Sequence, residues 1–463
     1  MNITELRAKH PEFIYQEYSW KIKDNDFVIN FKFQINPDIY FSPKVTIKNI
    51  GADRQKYILK NKEQFDQLVF NLGLVEMISY WKATCSPVIK IIPEGLDSAR
   101  EKFFSDLFLN GLGEFFYNNK INFTGDGFLK FEYQKNIVKP FKVKVNNDIL
   151  VPVGGGKDSV ITIELLKKDN RVSCFSLNPN QATLAIIKEA KIKESIFATR
   201  EIDPVLLDLN KKGYLNGHTP FSAYLAFLTT LVGAIFGFKY VAVSNENSAN
   251  EENLKYLDRK INHQYSKSFD FEKKFHNYRE KYLAVNVEYF SFLRPISELQ
   301  ISLIFSKLER YFGLFLSCNK AMATDSGKNK ATGLWCGKCP KCLFVYIMLY
   351  SFAGREKMQK IFGHDLLDDD SLSDLMLELL GIRSFKPLEC VGTRKEVLSA
   401  MYLAMRENYG QKEQMPKLLE YFKNKVLPNY KHIDEDTKKL LSSWDNANLV
   451  PKKFSLILKK AIK

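Results

Sequence analysis

Apolar and polar positions alternate over residues 26–34, 44–50, 128–133 and 141–145, a period of two that predicts strands. Between them, residues 62–81 and 96–116 carry apolar side chains at helical spacing, so residues 1–145 read as an N-terminal α+β domain. From 146 to 345 the pattern changes. Short apolar runs at 149–153, 171–177, 194–198, 239–244, 287–292 and 311–317 alternate with amphipathic segments at 158–168, 182–190, 221–236, 271–284 and 296–309. Such alternation predicts an α/β fold, a mostly parallel sheet with helices on both faces, whose ligands bind beyond the carboxyl ends of the strands. Residues 346–463 read as a C-terminal helical domain, with helical spacing at 341–352, 356–362, 372–380, 395–407, 415–425 and 437–443. No long linker or internal repeat interrupts these regions, so they are expected to pack together.

Composition narrows this picture only a little. The 463 residues are 45% hydrophobic and 26% charged, an ordinary globular balance. The net charge of +15 suits anionic ligands in general, but no basic run or basic-aromatic repeat marks a nucleic-acid groove. The first residues lack an apolar signal core, and the chain is expected to be cytoplasmic. Residues 221–238 carry no charge and are long enough to span a bilayer, yet Ser222, Tyr224, Thr229 and Thr230 dilute them and a strand-like run follows. A buried helix of the α/β region is the expected reading, with no membrane partner.

The chemistry concentrates at residues 148–167. An apolar strand runs into Gly154, Gly155 and Gly156, then Lys157, Asp158 and Ser159, then a helix. Glycines let the backbone approach an oxyanion, freed N–H groups point at it, and the helix dipole favours negative charge. The order Gly-Gly-x-Asp-Ser resembles the pyrophosphate loop of the PP-loop ATPases, with Gly154 where that family usually has Ser. The alternative phosphate loop, G-x4-G-K-[ST], does not fit because Asp158 occupies its hydroxyl position. A second polar stretch, Ser244, Asn245, Glu246 and on to Asn253, follows a predicted strand. Glu246 or Glu251 is a candidate for holding Mg2+.

Four of the seven cysteines cluster as C-x17-C-x2-C-x2-C: Cys318, Cys336, Cys339 and Cys342. Four thiolates at this spacing match a structural zinc site; a redox pair or an iron–sulfur cluster are the competing readings. Lys338 and Lys341 stand beside these thiolates to balance their charge. His218 and His263 lie in polar, turn-rich surroundings and are the better proton-transfer candidates among six histidines. Arg294 is a candidate anion ligand. In Glu389-Cys390-Val-Gly-Thr393-Arg394, Cys390 is a candidate proton carrier, while Thr393 capping toward Glu396 is an equally good account of the segment.

Together Val151–Ser159, Asn216-Gly-His218, Ser244-Asn-Glu246, Asn262–Ser268, Trp335–Cys342 and Glu389–Thr393 resemble the ATP-dependent UDP-N-acetylmuramoyl-L-alanyl-L-glutamate epimerase family of peptidoglycan biosynthesis. The loop and cysteine cluster alone also resemble the 7-cyano-7-deazaguanine synthases, which are shorter and lack the flanking regions. The epimerase resemblance implies a PP-loop, adenine nucleotide alpha hydrolase-like fold. It implies ATP and Mg2+ at Gly154 to Ser159 with Ser244, Asn245 and Glu246, structural Zn2+ on the four cysteines, and His218, His263 and Cys390 in proton transfer. The implied substrate is the UDP-N-acetylmuramoyl dipeptide, adenylated at the terminal L-Glu carboxylate, inverted to D-Glu and released with AMP and diphosphate. A muramoyl-L-alanine L-glutamate ligase is the implied functional partner. The rivals are a PP-loop enzyme acting on a nucleobase or tRNA, and a nucleotide-sensing protein without turnover.

Overall fold

A computed structural model describes residues 2–322, 334–383, 385–407 and 414–463. Its strands are β1 Glu12–Lys23, β2 Asp26–Ile35, β3 Ile39–Phe41, β4 Lys44–Ile47, β5 Val88–Leu96, β6 Lys130–Lys135, β7 Asn146–Pro152, β8 Val172–Leu177, β9 Ser195–Glu201, β10 Phe238–Val243, β11 Leu254–Tyr256, β12 Arg259–Ile261 and β13 Glu288–Ser291. All but the β11–β12 hairpin join one eleven-stranded sheet in the order β13-β10-β7-β8-β9-β4-β2-β1-β5-β6, with β3 beside β2. From β13 to β9 every pairing is parallel, and β4 then joins β9 antiparallel, Val45 opposite Arg200. The sheet therefore runs unbroken across residue 145.

Alternation along each strand decides which layer packs where. Ile149 and Val151 face one core with Cys174 and Ala242, whereas Leu150 faces the other with Phe175 and Val241. Against the Leu150 face lie the helices Lys62–Glu76, Ser98–Gly111, Phe221–Phe236 and Phe269–Tyr282. Against the Ile149 face lie Lys157–Leu166, Glu298–Ser306, Pro340–Ala353 and Arg394–Glu407. A strand buried on both faces reads as a continuous apolar run, which is why this half announced itself as parallel. In β1, by contrast, exposed positions alternate with partly buried ones after Tyr15, as expected of a sheet with one wet face.

The uncharged segment is the helix Phe221–Phe236, buried along most of its length and closed by Gly237 at φ +86°. No helix among the described residues is long and apolar enough to cross a membrane. The final helix, Lys452–Ala461, returns to the sheet, where Phe454 stacks on Phe290 with ring centroids 5.4 Å apart.

Two predicted strands are corrected. Residues 141–145 make only an isolated bridge, Phe141 to Ala284. Residues 311–317 form a turn and loop: Phe315 and Leu316 are buried, and the Leu316 N–H donates to the Gly155 carbonyl at 2.8 Å. An apolar run reports burial, not hydrogen-bond partner, so a buried loop and a buried strand look alike in sequence.

Candidate active site

The segment after β7 reverses at Gly155, whose φ of +95° is the left-handed conformation glycine adopts at no steric cost. Gly156 then caps the helix Lys157–Leu166 without any side-chain hydrogen bond, leaving the first-turn N–H groups unspent. Gly154, Gly156, Asp158 and Ser159 line a cavity of about 340 Å3. The same cavity is walled by Ser244, Asn245 and Glu246, by Lys267 and Lys341, and by Cys390. The glycine loop, the polar stretch after β10 and the Glu389–Thr393 segment thus meet at the carboxyl ends of β7 and β10.

Lys157 does not reach into this space. Its side chain is 2% exposed and is ion-paired with Asp158 at 2.5 Å and Glu298 at 2.7 Å. Burial works against ionisation of Asp158, but Lys157, Lys341 and Lys267 outweigh it and hold the carboxyl below its ordinary range. Glu298 is pushed the other way by burial. Glu298 caps nothing; its own N–H donates to Glu396 at 2.8 Å. Glu396 also accepts from the Thr393 N–H and hydroxyl at 2.7 and 2.9 Å, so the expected cap at Thr393 is present.

Ser244 donates to Thr162 at 2.8 Å and Asn245 to Ser291 at 3.1 Å, which ties the polar stretch to the loop's own helix and to β13. Arg294, the candidate anion ligand, is instead wholly buried: it pairs with Glu272 at 3.1 Å and donates to the carbonyls of Glu246 and Lys267. It fixes two walls of the cavity rather than meeting a ligand. Glu251 lies outside this cavity, 4.0 Å from Lys386.

Behind Cys390 stands a chain of titratable groups. Lys267 donates to the Cys390 sulfur at 3.3 Å, and the His263 imidazole acts electrostatically on the same thiol. His263 Nδ1 bonds Glu114, and His218 Nδ1 lies 3.4 Å from the same carboxylate oxygen, with the two imidazole rings 4.6 Å apart. Burial by itself would push the Cys390 thiol up; Lys267 and His263 outweigh it and bring it down to about 6. Burial would lower His263, but Cys390 and Glu114 raise it to about 9. His218 is pushed well below its ordinary value by burial and by the facing His263 and Lys82. Neither histidine lines the cavity. Lys82 holds the His218 turn through the Gly217 carbonyl and Thr219.

Glu114 was not legible as a site residue. It sits on the short helix Gly113–Asn118, far from the motifs in sequence, and only the fold brings it to His263. Glu114, His218 and His263 also satisfy the spacing of a metal triad, yet Lys82 and Lys267 crowd them with positive charge.

The four clustered cysteines converge, each sulfur within 4.8 Å of the others. Cys339 and Cys342 are 3.5 Å apart, Cys336 and Cys342 3.7 Å, Cys318 and Cys339 4.0 Å. Thiolates about 2.3 Å from a tetrahedral metal stand roughly 3.8 Å from one another, so this donor set fits a metal ion. Cys339 caps the helix Pro340–Ala353, placing Cys342 in its first turn. Lys341, on the same turn, sends its ammonium to the Cys390 carbonyl and not to the thiolates. The helix thereby couples the four-cysteine cluster to the cavity wall.

These features define an α/β protein with a glycine loop at the carboxyl end of an interior parallel strand, a cysteine thiol across the cavity from it, and a four-cysteine cluster whose donor set fits a metal ion. The chain belongs to the MurL family: residues 4–292 match the MurL N-terminal domain and residues 314–432 the MurL C-terminal domain. It is 34% identical over 340 residues to the UDP-N-acetyl-alpha-D-muramoyl-L-alanyl-L-glutamate epimerase of a Micromonospora species, covering 73% of this chain and 74% of that one. To the Salinispora tropica protein of that name it is 35% identical over 336 residues, 72% of each chain. To the Xanthomonas oryzae pv. oryzae protein it is 31% identical over 370 residues, 80% of this chain and 81% of that one. No solved structure matches the fold.

Proposed function

We propose that this chain inverts the terminal L-glutamate of UDP-N-acetylmuramoyl-L-alanyl-L-glutamate, using ATP and releasing AMP and diphosphate. The observation that carries this reading is the shared cavity, in which a phosphate-type glycine loop faces an activated thiol. The relatives' names supply the substrate. The glycine loop and uncapped helix start suit the PP-loop assignment and would receive the phosphates of ATP.

The α-hydrogen of an ionised glutamate is very weakly acidic. Transfer of AMP to that carboxylate, with loss of diphosphate, removes the charge and provides an electron sink, so a modest base suffices. Cys390 is the only member of the titratable chain on the cavity wall besides Lys267, so it is the group presented to the α-hydrogen. Lys267 and His263, the latter held by Glu114, keep the sulfur in its anionic form, and His218 completes the chain behind them. Reprotonation from the opposite face gives D-glutamate, and water then releases AMP. Asp158 and Glu246 would hold Mg2+, which screens the triphosphate charge. Zinc on the four thiolates would hold the loop before the helix Pro340–Ala353 and, through Lys341, the Cys390 segment. A ligase adding L-glutamate to the muramoyl-L-alanine precursor would supply the substrate.

Incubation with Mg·ATP and the UDP-muramoyl dipeptide, followed by assay of AMP and of glutamate chirality, tests the reading. AMP with D-glutamate supports it; AMP without inversion leaves adenylation and removes the epimerase assignment.

A further inference from the structure

A second cavity of about 730 Å3, more than twice the volume of the first, opens beside it. Both are built from the same two segments. Glu246 walls the first and Asn247 the second; Cys390 walls the first and Arg394 the second. Four residues of extended chain span at most about 14 Å, so a ligand of moderate length can occupy both.

The charged groups of this second cavity are unequally employed. Its carboxylates are engaged: Glu396 accepts from the Thr393 cap, Asp445 accepts from Asn247 at 2.5 Å, and Glu251 faces Lys386. Arg394 and Lys395, at the start of the helix Arg394–Glu407, have no hydrogen bond or ion pair among the described residues. The Arg394 stem is held by close approach to Gly381, where a Cβ would stand 2.3 Å from the arginine Cδ. Trp444 lines the opposite wall, with Lys459 4.7 Å from its ring centroid. That wall is pinned, because Ser297 donates to the Leu440 carbonyl at 3.1 Å and Gln300 to the Ser443 carbonyl at 3.0 Å. The cavity thus offers two uncommitted cations and an indole on a rigid frame. That combination receives an anionic group joined to an aromatic ring.

We infer that this cavity binds the uridine diphosphate end of the substrate, with Arg394 and Lys395 on the diphosphate and Trp444 on the base. The inference rests on the function proposed above. The muramoyl sugar, its lactyl ether and L-alanine would bridge the two cavities, leaving the glutamyl carboxylate beside the glycine loop. Binding energy from this remote end would then position the reacting end.

The test uses the full-length protein and the R394A/K395A variant, with K395A as a milder change and the thermal midpoint as a folding control. Free UDP is titrated while tryptophan fluorescence is followed, W444F assigning the signal, and ADP is titrated in parallel. UDP is expected to quench Trp444 in the wild type and to bind at least tenfold more weakly to the double variant, with ADP weaker than UDP at this indole. In turnover, the double variant should raise KM for the UDP-linked substrate at least tenfold and KM for the UDP-free muramoyl dipeptide less than twofold. UDP binding that ignores both substitutions, or ADP equal to UDP at Trp444, overturns the inference. A wild type that binds UDP at Trp444 but forms no D-glutamate would instead overturn the proposed reaction and leave this site standing.

Discussion

The Lys267 ammonium donates to the Cys390 sulfur at 3.3 Å, and both groups face the cavity that the glycine loop opens into. A buried thiol in apolar surroundings resists ionisation, whereas one beside a cation yields its proton near neutrality. The proposed chemistry depends on this pairing.

Cys390 should be a thiolate above about pH 6 and its His263 partner protonated below about pH 9. Epimerisation is therefore expected to fall as pH drops through the first value and as it rises through the second. Alkylation of Cys390, followed by peptide mass spectrometry across pH, should show a midpoint near the first value. Lys267→Met should move that midpoint upward by at least one unit; an unmoved midpoint would show that Lys267 does not set the thiol's ionisation.

Replacing Cys390 with Ala should lower D-glutamate formation by ~10²–10⁴, the usual contribution of a positioned acid–base group. ATP-dependent diphosphate release should persist, since the glycine loop is untouched. Loss of both activities together would place Cys390 in adenylation instead.

Lys157 sits in the phosphate-loop motif but is committed to Asp158 and Glu298. Lys157→Met leaves the buried Glu298 carboxylate without its ion-pair partner and should cost about 3–5 kcal/mol in urea denaturation. Adding Glu298→Leu should recover part of that loss. Full stability in the single variant would show that the pair is not a structural element.

The three loop glycines should not respond alike. A Cβ at Gly154 meets nothing within 4 Å, so Gly154→Ser should leave stability unchanged and tolerate ATP. Gly155, at φ +95°, would impose ~1–2 kcal/mol on alanine through left-handed backbone strain. Thermal unfolding of the two variants with and without Mg·ATP reads both effects.

Removing the metal from the four-cysteine cluster should lower the unfolding midpoint and, because Lys341 links that helix to the Cys390 carbonyl, slow epimerisation as well. Cys336→Ser should reproduce both losses, with elemental analysis showing the drop in bound zinc. A variant that keeps its metal would show that Cys336 is not a ligand.

Local pattern was enough to place the glycine loop, the helix that follows it and the four cysteines, because each depends on residues close in sequence. Gly155 needs its own φ, and Cys336, Cys339 and Cys342 come together through short turns. The parallel half was legible for a similar reason: strands buried on both faces write continuous apolar runs. Residues 311–317 wrote the same run and became a loop, since burial alone does not choose a hydrogen-bond partner. What lay beyond the sequence was long-range pairing. Glu114 and His263 are separated by 149 positions, and nothing in the spacing of either announces the other. Lys157 and Arg294 looked like ligands for anions until the fold supplied Glu298 and Glu272 as buried partners. Sequence determined which chemical groups the protein owns. Tertiary structure decided which of them face the cavity and which hold its walls, because a charge's role is set by its burial and by the counter-charge that the fold brings to it.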